Sequence, residues 1–230
     1  MCVCLLIKDS RAGGSLFAAV ALWYSTMEAE KRERMRHMKL YLLRHGQTDM
    51  NIAHRLQGST NTPLNATGEA QARALGEEIK ARGLHFDRIY CSPLQRAVRT
   101  AELATGRDPS AFRMEPSIEE MHMGDLETHS YEELGPTFME TFFHDPAQFV
   151  PRGDGETFPE LIERVSGFLE ALRKELPGEH ILAVSHGAAI HCMLAAVEHT
   201  PMKDLWKRKV DNCSLITLET EGGPYRLIGR

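Results

Sequence analysis

Short runs of apolar residues recur along the chain from residue 38 onward, and stretches of mixed polarity separate them. Apolar runs that do not alternate with polar residues are typical of strands covered on both faces. The pattern predicts strands at 40–43, 88–91, 181–185 and 215–218, and a weaker strand at 225–228.

The stretches between these runs carry helical periodicity. One of them ends before Gly83, and glycine commonly ends a helix. Ser92 and Pro93 predict a helix start, because serine caps helices and proline fits their first turn. Thr157 and Glu160 have the spacing of a capping box. The predicted helices cover 67–82, the stretch from 92 to 101, the stretch after 157, and 187–197.

Alternating strands and helices predict an α/β fold, a three-layer α/β/α sandwich around a mostly parallel central sheet. No repeat and no low-complexity linker divides residues 38–230, so we expect one domain, with an insertion at about 115–155 that caps the site. Residues 1–37 lack clear periodicity and end in a charged run. We expect this N-terminal extension to be disordered or not native, and dispensable for folding.

Composition narrows the partners and the compartment. The net charge of −5 gives no general attraction to nucleic acid or to anionic membranes. The longest apolar run, 16–24, is shorter than the roughly 18 residues that span a bilayer. Five cysteines, none in a C-x-x-C pair, favour a reducing compartment, and we expect a cytoplasmic protein.

Positively charged and nucleophilic side chains follow three of the predicted strands. Arg44 and His45 come directly after the first strand, Arg96 follows the second, and His186 follows the third. In α/β sheets, ligands bind beyond the carboxyl ends of the strands. A lone histidine there is more often structural, but two histidines with two arginines favour a phosphate site, since guanidinium matches phosphate oxygens.

The residues around these positions form longer motifs. Residues 44–51 read R-H-G-Q-T-D-M-N, and residues 92–101 read S-P-L-Q-R-A-V-R-T-A. The E-x-x-x-G-x-x-E spacing occurs at 120–127, and S-H-G occurs at 185–187. In these four ordered motifs the chain resembles the histidine phosphatase superfamily, the phosphoglycerate mutase-like group. It departs from that pattern at Thr128 and Ala188, where many members have glycine, and we expect an effect on loop shape or substrate access.

This resemblance implies catalysis through a covalent phosphohistidine at His45, with Glu120 as general acid and base. The implied phosphate pocket contains Arg44, Asn51, Arg96, His186 and Gly187. The resemblance implies no metal and no cofactor. The chain also lacks the G-x-x-x-x-G-K-[S/T] and G-x-G-x-x-G motifs of nucleotide and dinucleotide sites.

Charge in the predicted insertion favours hydrolysis over isomerisation. A mutase must hold a second anionic group, yet no lysine or arginine lies between Arg113 and Arg152, where nine acidic residues occur. We therefore expect a phosphomonoester hydrolase of the phosphatase or alpha-ribazole phosphatase-like branch, acting on a small phosphorylated metabolite. A phosphoglycerate mutase is the alternative, and an inactive phospho-ligand-binding module is a third reading. A homodimer stays open.

Aromatic residues in the insertion allow two readings. They either pack on an organic leaving group or form the local core of the insertion, and the second reading is favoured. These residues are Tyr131, Phe138, Phe142, Phe143 and Phe149.

Overall fold

The computed structural model describes residues 20, 22, 23, 25–27, 37–175 and 178–229. Most of the 1–37 extension, and the expectation for it, lies outside the described residues. Within them, six strands form one sheet with the spatial order β3-β2-β4-β1-β5-β6. The strands are β1 (Met38–Arg44), β2 (Arg88–Cys91), β3 (Arg113–Met114), β4 (His180–Ser185), β5 (Leu215–Thr220) and β6 (Arg226–Gly229).

Strand directions confirm the predicted, mostly parallel sheet. β1 pairs in parallel with β4, β4 with β2, and β2 with β3. β5 runs antiparallel to β1, and β6 runs antiparallel to β5. The five predicted strands are present, while the two-residue β3 has no predicted counterpart because so short a segment carries no periodic signal.

Helices cover both faces of the sheet. They are α1 (Asp49–Ile52), α2 (Ala66–Ala81), α3 (Gln95–Thr105), α4 (Tyr131–Met139), α5 (Phe158–Glu175) and α6 (Gly187–Glu198). Leu40 and Leu42 of β1 belong to the core shared with α5 and α6. Tyr41 and Leu43 belong to the core shared with α2 and α3. Since side chains alternate across a strand, one apolar run serves two cores, and the three-layer prediction is confirmed.

Two predicted helix ends are confirmed and one is wrong. Gly83 takes a φ of +62° after α2, and Thr157 and Glu160 exchange the hydrogen bonds of a capping box before α5. The helix expected at Ser92 begins instead at Gln95, with Leu94 as its N-cap. The Ser92 hydroxyl accepts from the Leu94 amide at 3.3 Å, before the first helical residue, and it also contacts an imidazole described below.

The 115–155 insertion consists of short turns, α4 and a π-helical turn at Glu140–His144. Its aromatic rings stack on one another and on Phe158 and Trp206, and the Trp206 indole N–H donates to the Phe142 carbonyl at 2.7 Å. Phe138, Phe142 and Phe149 are buried, so the local-core reading is confirmed for these three. In the described part of the chain, no helix is both long and apolar enough to cross a membrane.

Two glycines let the loop after β1 pass against the start of α2. A Cβ on Gly68 would lie 2.1 Å from the Gln47 carbonyl oxygen, and a Cβ on Gly46 would lie 2.6 Å from the Gly68 carbonyl oxygen. These contacts are with backbone, which cannot rotate away as a flexible side chain does. The position of the segment that follows β1 therefore depends on the absence of two side chains.

We expect Gly68→Ala to lower the free energy of unfolding by about 1–3 kcal/mol, because the added methyl group overlaps the Gln47 carbonyl. Gly167→Ala is the matched control, since Gly167 is also helical and a Cβ there meets no atom within 4 Å. The control should be stabilised by about 0.5–1 kcal/mol. Urea unfolding of the two variants measures both, and equal stabilities would contradict the close approach.

Candidate active site

Parallel pairing of β1 with β4 brings two histidines together. Arg44 pairs with Ser185 at the last rung, and the His45 amide donates to the Ser185 carbonyl at 3.0 Å. The next residues along the two strands are His45 and His186, whose ring centroids lie 5.1 Å apart. Both side chains are buried. The sheet thus places two imidazoles side by side at its carboxyl edge, where ligands of such folds bind.

His45 is oriented by the residue that follows it. Its Nδ1 lies 2.7 Å from the Gly46 carbonyl oxygen. A carbonyl oxygen only accepts, so the neutral ring carries its proton on Nδ1 and its lone pair on Nε2. Burial, and then the guanidinium groups of Arg96 and Arg44, lower the pKa of His45 well below its ordinary value of 6.5. The ring is therefore neutral at neutral pH, and its Nε2 carries the lone pair.

His186 has the opposite tautomer. The Arg96 Nε–H donates to His186 Nδ1 at 3.2 Å, so the ring proton lies on Nε2, which is 2.7 Å from the Ser92 hydroxyl oxygen. Burial and then Arg96 lower the pKa of His186 well below 6.5. In this arrangement His186 orients Arg96 and directs its own N–H to Ser92, instead of offering that N–H to the pocket.

Arg96 is fully buried and is held by loop carbonyls. Its Nη1 donates to the Thr60 carbonyl at 2.8 Å, and its Nη2 donates to the Gly58 carbonyl at 2.7 Å. Burial lowers the pKa of Arg96 to about 10, which leaves it charged at neutral pH. Nε donates to His186, and Nη1 and Nη2 each use one of their two N–H groups in these bonds. Among the described residues, one N–H group on each terminal nitrogen therefore stays available. Sequence reasoning missed these acceptors, since main-chain carbonyls carry no side-chain signature.

Glu127, the second glutamate of the E-x-x-x-G-x-x-E motif, bonds to the loop at 58–60 that supplies these carbonyls. Its carboxylate accepts hydrogen bonds from the Ser59 amide and hydroxyl, at 2.8 and 2.7 Å, and from the Thr60 hydroxyl. Burial raises the pKa of Glu127, but the hydrogen bonds outweigh it and hold the pKa below its ordinary value. Gly58 has a φ of +50°, and a Cβ there would lie 2.2 Å from the Glu127 carboxylate.

Arg44 is positioned from the other side of the site. Its Nη1 donates to the Val210 carbonyl at 2.6 Å, while its buried Nε has no hydrogen-bond partner within the described residues. Asn212 donates to the His45 carbonyl at 3.0 Å. A buried guanidinium N–H without an acceptor is costly, so this atom marks where an anion would be stabilised.

Asn51 has a local partner in this structure. Its side-chain oxygen accepts from the Thr48 amide at 3.1 Å, as part of the capping box that starts α1. The same oxygen lies 3.4 Å from the side-chain nitrogen Nδ2 of Asn212. Asn51 therefore lies beside the residue that holds His45, and its direct contact with a phosphate stays a prediction.

Glu120 lies at the N-terminus of α6. Its carboxylate accepts hydrogen bonds from the amides of Met121, Ala188 and Ala189 at 3.0, 3.2 and 3.1 Å. The positive end of a helix dipole favours a carboxylate there. Gly187 begins α6 close to both charged groups: a Cβ on it would lie 3.5 Å from Glu120 Oε2 and 3.6 Å from Arg44 Cζ. Glu120, Gly187 and Arg44 thus meet at one point beside the histidine pair.

Of the two departures from the family pattern, Ala188 lies at this point, whereas Thr128 bonds to the backbone of Leu56. Thr128 has a φ of +67°, a conformation that suits the glycine found there in many members and strains a β-branched residue. Ala188 contributes its amide to Glu120. Thr128 thus keeps a backbone conformation that suits glycine, and the effect of this departure on loop shape or substrate access stays a prediction. The departure at Ala188 leaves the backbone contact intact.

A cavity of about 560 Å³ opens beside Glu120. Five carboxylates line it, and Arg164 is the guanidinium among its lining residues. Those carboxylates belong to Glu119, Glu120, Asp154, Glu156 and Glu160. Across the described residues, no three His, Cys, Asp or Glu side chains gather as metal ligands do.

Comparison with known proteins identifies the family. The family model of the histidine phosphatase superfamily (branch 1) matches residues 40–229. The chain belongs to the histidine phosphatase superfamily. The resemblance drawn from the motifs is thereby confirmed.

Relatives of this chain carry both phosphatase and mutase names. It is 36% identical over 186 residues to "Uncharacterized phosphatase PhoE" of Bacillus subtilis, covering 81% of this chain and 90% of the relative. It is 32% identical over 198 residues to "Probable phosphoglycerate mutase GpmB" of Photorhabdus laumondii, covering 84% and 89%. A phosphoserine phosphatase from Entamoeba histolytica, solved with phosphoserine, superposes with a TM-score of 0.73 at 28% identity, covering 83% of this chain and 94% of that chain.

The lowered pKa values of the two histidines predict how the stability of this protein depends on pH. Below 6.5 the unfolded chain binds protons that native His45 and His186 do not bind, so the free energy of unfolding should fall as pH falls. His45→Gln should reduce the slope by up to about 1.4 kcal/mol per pH unit. Denaturant unfolding between pH 7 and 5 measures this. His144→Gln, at an exposed histidine, should keep the wild-type slope, and equal slopes in all three proteins would contradict the prediction.

Proposed function

We propose that this histidine phosphatase hydrolyses small organic phosphomonoesters through a phosphohistidine at His45. The observation that carries the proposal is the state of His45: a buried, neutral ring whose Nδ1–H is fixed by Gly46 and whose Nε2 lone pair is free to attack. Two guanidinium groups lie beside it: Arg96 is fully buried, and the buried Nε–H of Arg44 has no hydrogen-bond partner within the described residues. A nucleophile between fixed positive donors is what phosphoryl transfer requires.

In the first step, His45 Nε2 forms a bond to phosphorus as the ester P–O bond breaks. Arg44 and the remaining N–H groups of Arg96 stabilise the negative charge on the equatorial oxygens. The leaving oxygen takes a proton from the Glu120 carboxyl group. Such general acid catalysis contributes roughly 10²–10⁴ in rate.

In the second step, water attacks the phosphohistidine. A P–O bond forms as the P–N bond breaks, and the Glu120 carboxylate takes the proton of the water. Inorganic phosphate leaves, while His45 is again neutral and Glu120 is again protonated. The same carboxyl group thus serves as acid in one half of the cycle and as base in the other.

The cavity beside Glu120 favours water over a second phosphorylated acid as the acceptor. Two of its five acidic side chains are compensated, because Glu120 enters the proposed cycle protonated and Glu156 is paired with a guanidinium. The carboxylates of Glu119, Asp154 and Glu160 remain to repel an additional anionic group, such as the carboxylate of phosphoglycerate. The guanidinium of Arg164 in that wall is already paired with Glu156. The phosphatase names of one relative and of the Entamoeba structure agree with hydrolysis, and the mutase name of the other relative keeps isomerisation as the alternative. The proposal places the enzyme in the cytoplasm and needs no metal.

We expect rapid acid-free quenching during turnover of p-nitrophenyl phosphate to trap phosphate on His45. N-linked phosphate should survive alkali and be lost in acid. His45→Ala should abolish this labelling and lower kcat/KM by roughly 10³-fold or more, because the nucleophile is gone. His144→Ala, at an exposed histidine, should label normally. Label that survives acid, or that persists in His45→Ala, would place the nucleophile elsewhere.

Hydrolysis and isomerisation separate in a parallel assay. We expect release of inorganic phosphate from p-nitrophenyl phosphate and from glycerol 2-phosphate, and little conversion of 3-phosphoglycerate with or without 2,3-bisphosphoglycerate. The physical reason is the anionic wall beside Glu120. Turnover should persist in the presence of a chelator. Fast isomerisation with negligible phosphate release would favour the mutase, and binding without either reaction would favour the inactive binding module.

A further inference from the structure

Arg164, on the second turn of α5, makes an unusually complete set of hydrogen bonds. Its Nε and Nη2 donate to the two carboxylate oxygens of Glu156 at 2.9 and 2.8 Å. Its Nη1 donates to the carbonyls of Ser117 and Glu119 at 2.8 and 3.2 Å, and its Nη2 reaches the Glu120 carbonyl at 3.4 Å. Both members of the ion pair are largely buried, with 25% and 14% of their side chains exposed.

These five contacts account for all five N–H groups of the guanidinium. Although Arg164 lines the cavity beside Glu120, it therefore has no donor left for a substrate oxygen. Its charge is also neutralised by a bidentate carboxylate, the arrangement in which arginine pairs are most directional. The geometry excludes a direct role in binding substrate and favours a role that acts through the groups Arg164 holds.

Arg164 bonds to the backbone of residues 117–120, the segment that ends in Glu120. Three carbonyls between 117 and 120 converge on one rigid, planar guanidinium. On the far side of Glu120, the Glu156 amide donates to the His122 carbonyl at 2.7 Å. Hydrogen bonds from Arg164 and Glu156 thus fix the backbone both before and after Glu120, while the Glu120 carboxylate accepts hydrogen bonds from the amides of α6.

We propose that Arg164 and Glu156 are positioning residues that fix Glu120 as the proton donor to the leaving group. The proposal rests on the function proposed above, in which Glu120 is the general acid. Proton transfer in the transition state requires the donor within hydrogen-bond reach of the leaving oxygen. A displacement of about 1 Å costs up to roughly 10²-fold in rate, so a loosened backbone at 117–122 weakens acid catalysis while leaving His45 and its donors in place.

The test compares kcat/KM for two substrates, because this parameter reports the step in which the ester bond breaks. 2,4-Dinitrophenyl phosphate releases a stable phenolate that needs no proton, whereas glycerol 2-phosphate releases an alkoxide that does. Arg164→Gln and Glu156→Gln should lower kcat/KM for glycerol 2-phosphate by about 10- to 100-fold and for the dinitrophenyl ester by less than about threefold. Arg164→Lys keeps the charge but cannot span the carbonyls, and should behave like Arg164→Gln.

Arg173→Gln is the matched control, because Arg173 lies on the same helix and makes the same bidentate pair with Glu170. It should leave both substrates near wild type. Loss of activity in equal proportion on both substrates, in both the Arg164 and the Glu156 variants, would overturn the positioning role, as would wild-type activity on glycerol 2-phosphate. Glu120→Gln separates the two proposals: if it too lacks leaving-group selectivity, the general acid assignment fails, and if it is selective while the Arg164 variants are not, only the positioning role fails.

Discussion

The register between β1 and β4 is the constraint on which the site depends. Six successive residue pairs align the two strands in parallel, so the residues that follow their last rung, His45 and His186, emerge as neighbours. A slip of one residue would turn every buried side chain of β1 toward the other core and would separate the imidazoles. Register is strongly specified here because both faces of the strand are buried. The hydrophobic pattern that sets the register of the sheet therefore also brings His45 and His186 together.

Main-chain carbonyls hold the positive charges of the site. Arg96 donates hydrogen bonds to the carbonyls of Gly58 and Thr60, and Arg44 donates to the carbonyl of Val210. A carbonyl satisfies part of a buried guanidinium without neutralising it, whereas a carboxylate would cancel the charge. The carboxylate of Glu127 accepts hydrogen bonds from Ser59 of this loop and makes none with Arg96 among the described residues. Both arginines thus remain cationic toward a phosphate while being fixed in place.

Much of the fold and of the site follows from local sequence pattern. Arg44, His45 and His186 could be predicted because each stands at the end of a strong apolar run. The partners that orient them could not, since Gly58 and Val210 act through backbone atoms that any residue possesses. Ser92 was misread because serine before proline is a helix cap by local rules, and only the tertiary fold brings an imidazole to its hydroxyl. The two-residue β3 forms by pairing with β2, a long-range event without a local signal.

The aromatic rings of the insertion anchor it independently of the phosphate pocket. Phe142 stacks against Phe158 and Trp206, residues that belong to α5 and to the segment before β5. The insertion, which also carries Glu120, is thus fastened to the body of the fold by ring contacts and not only by the hydrogen bonds from Glu120 to the amides of α6. An exposed residue of the insertion that makes none of these contacts can therefore change during evolution without loosening the segment that holds Glu120.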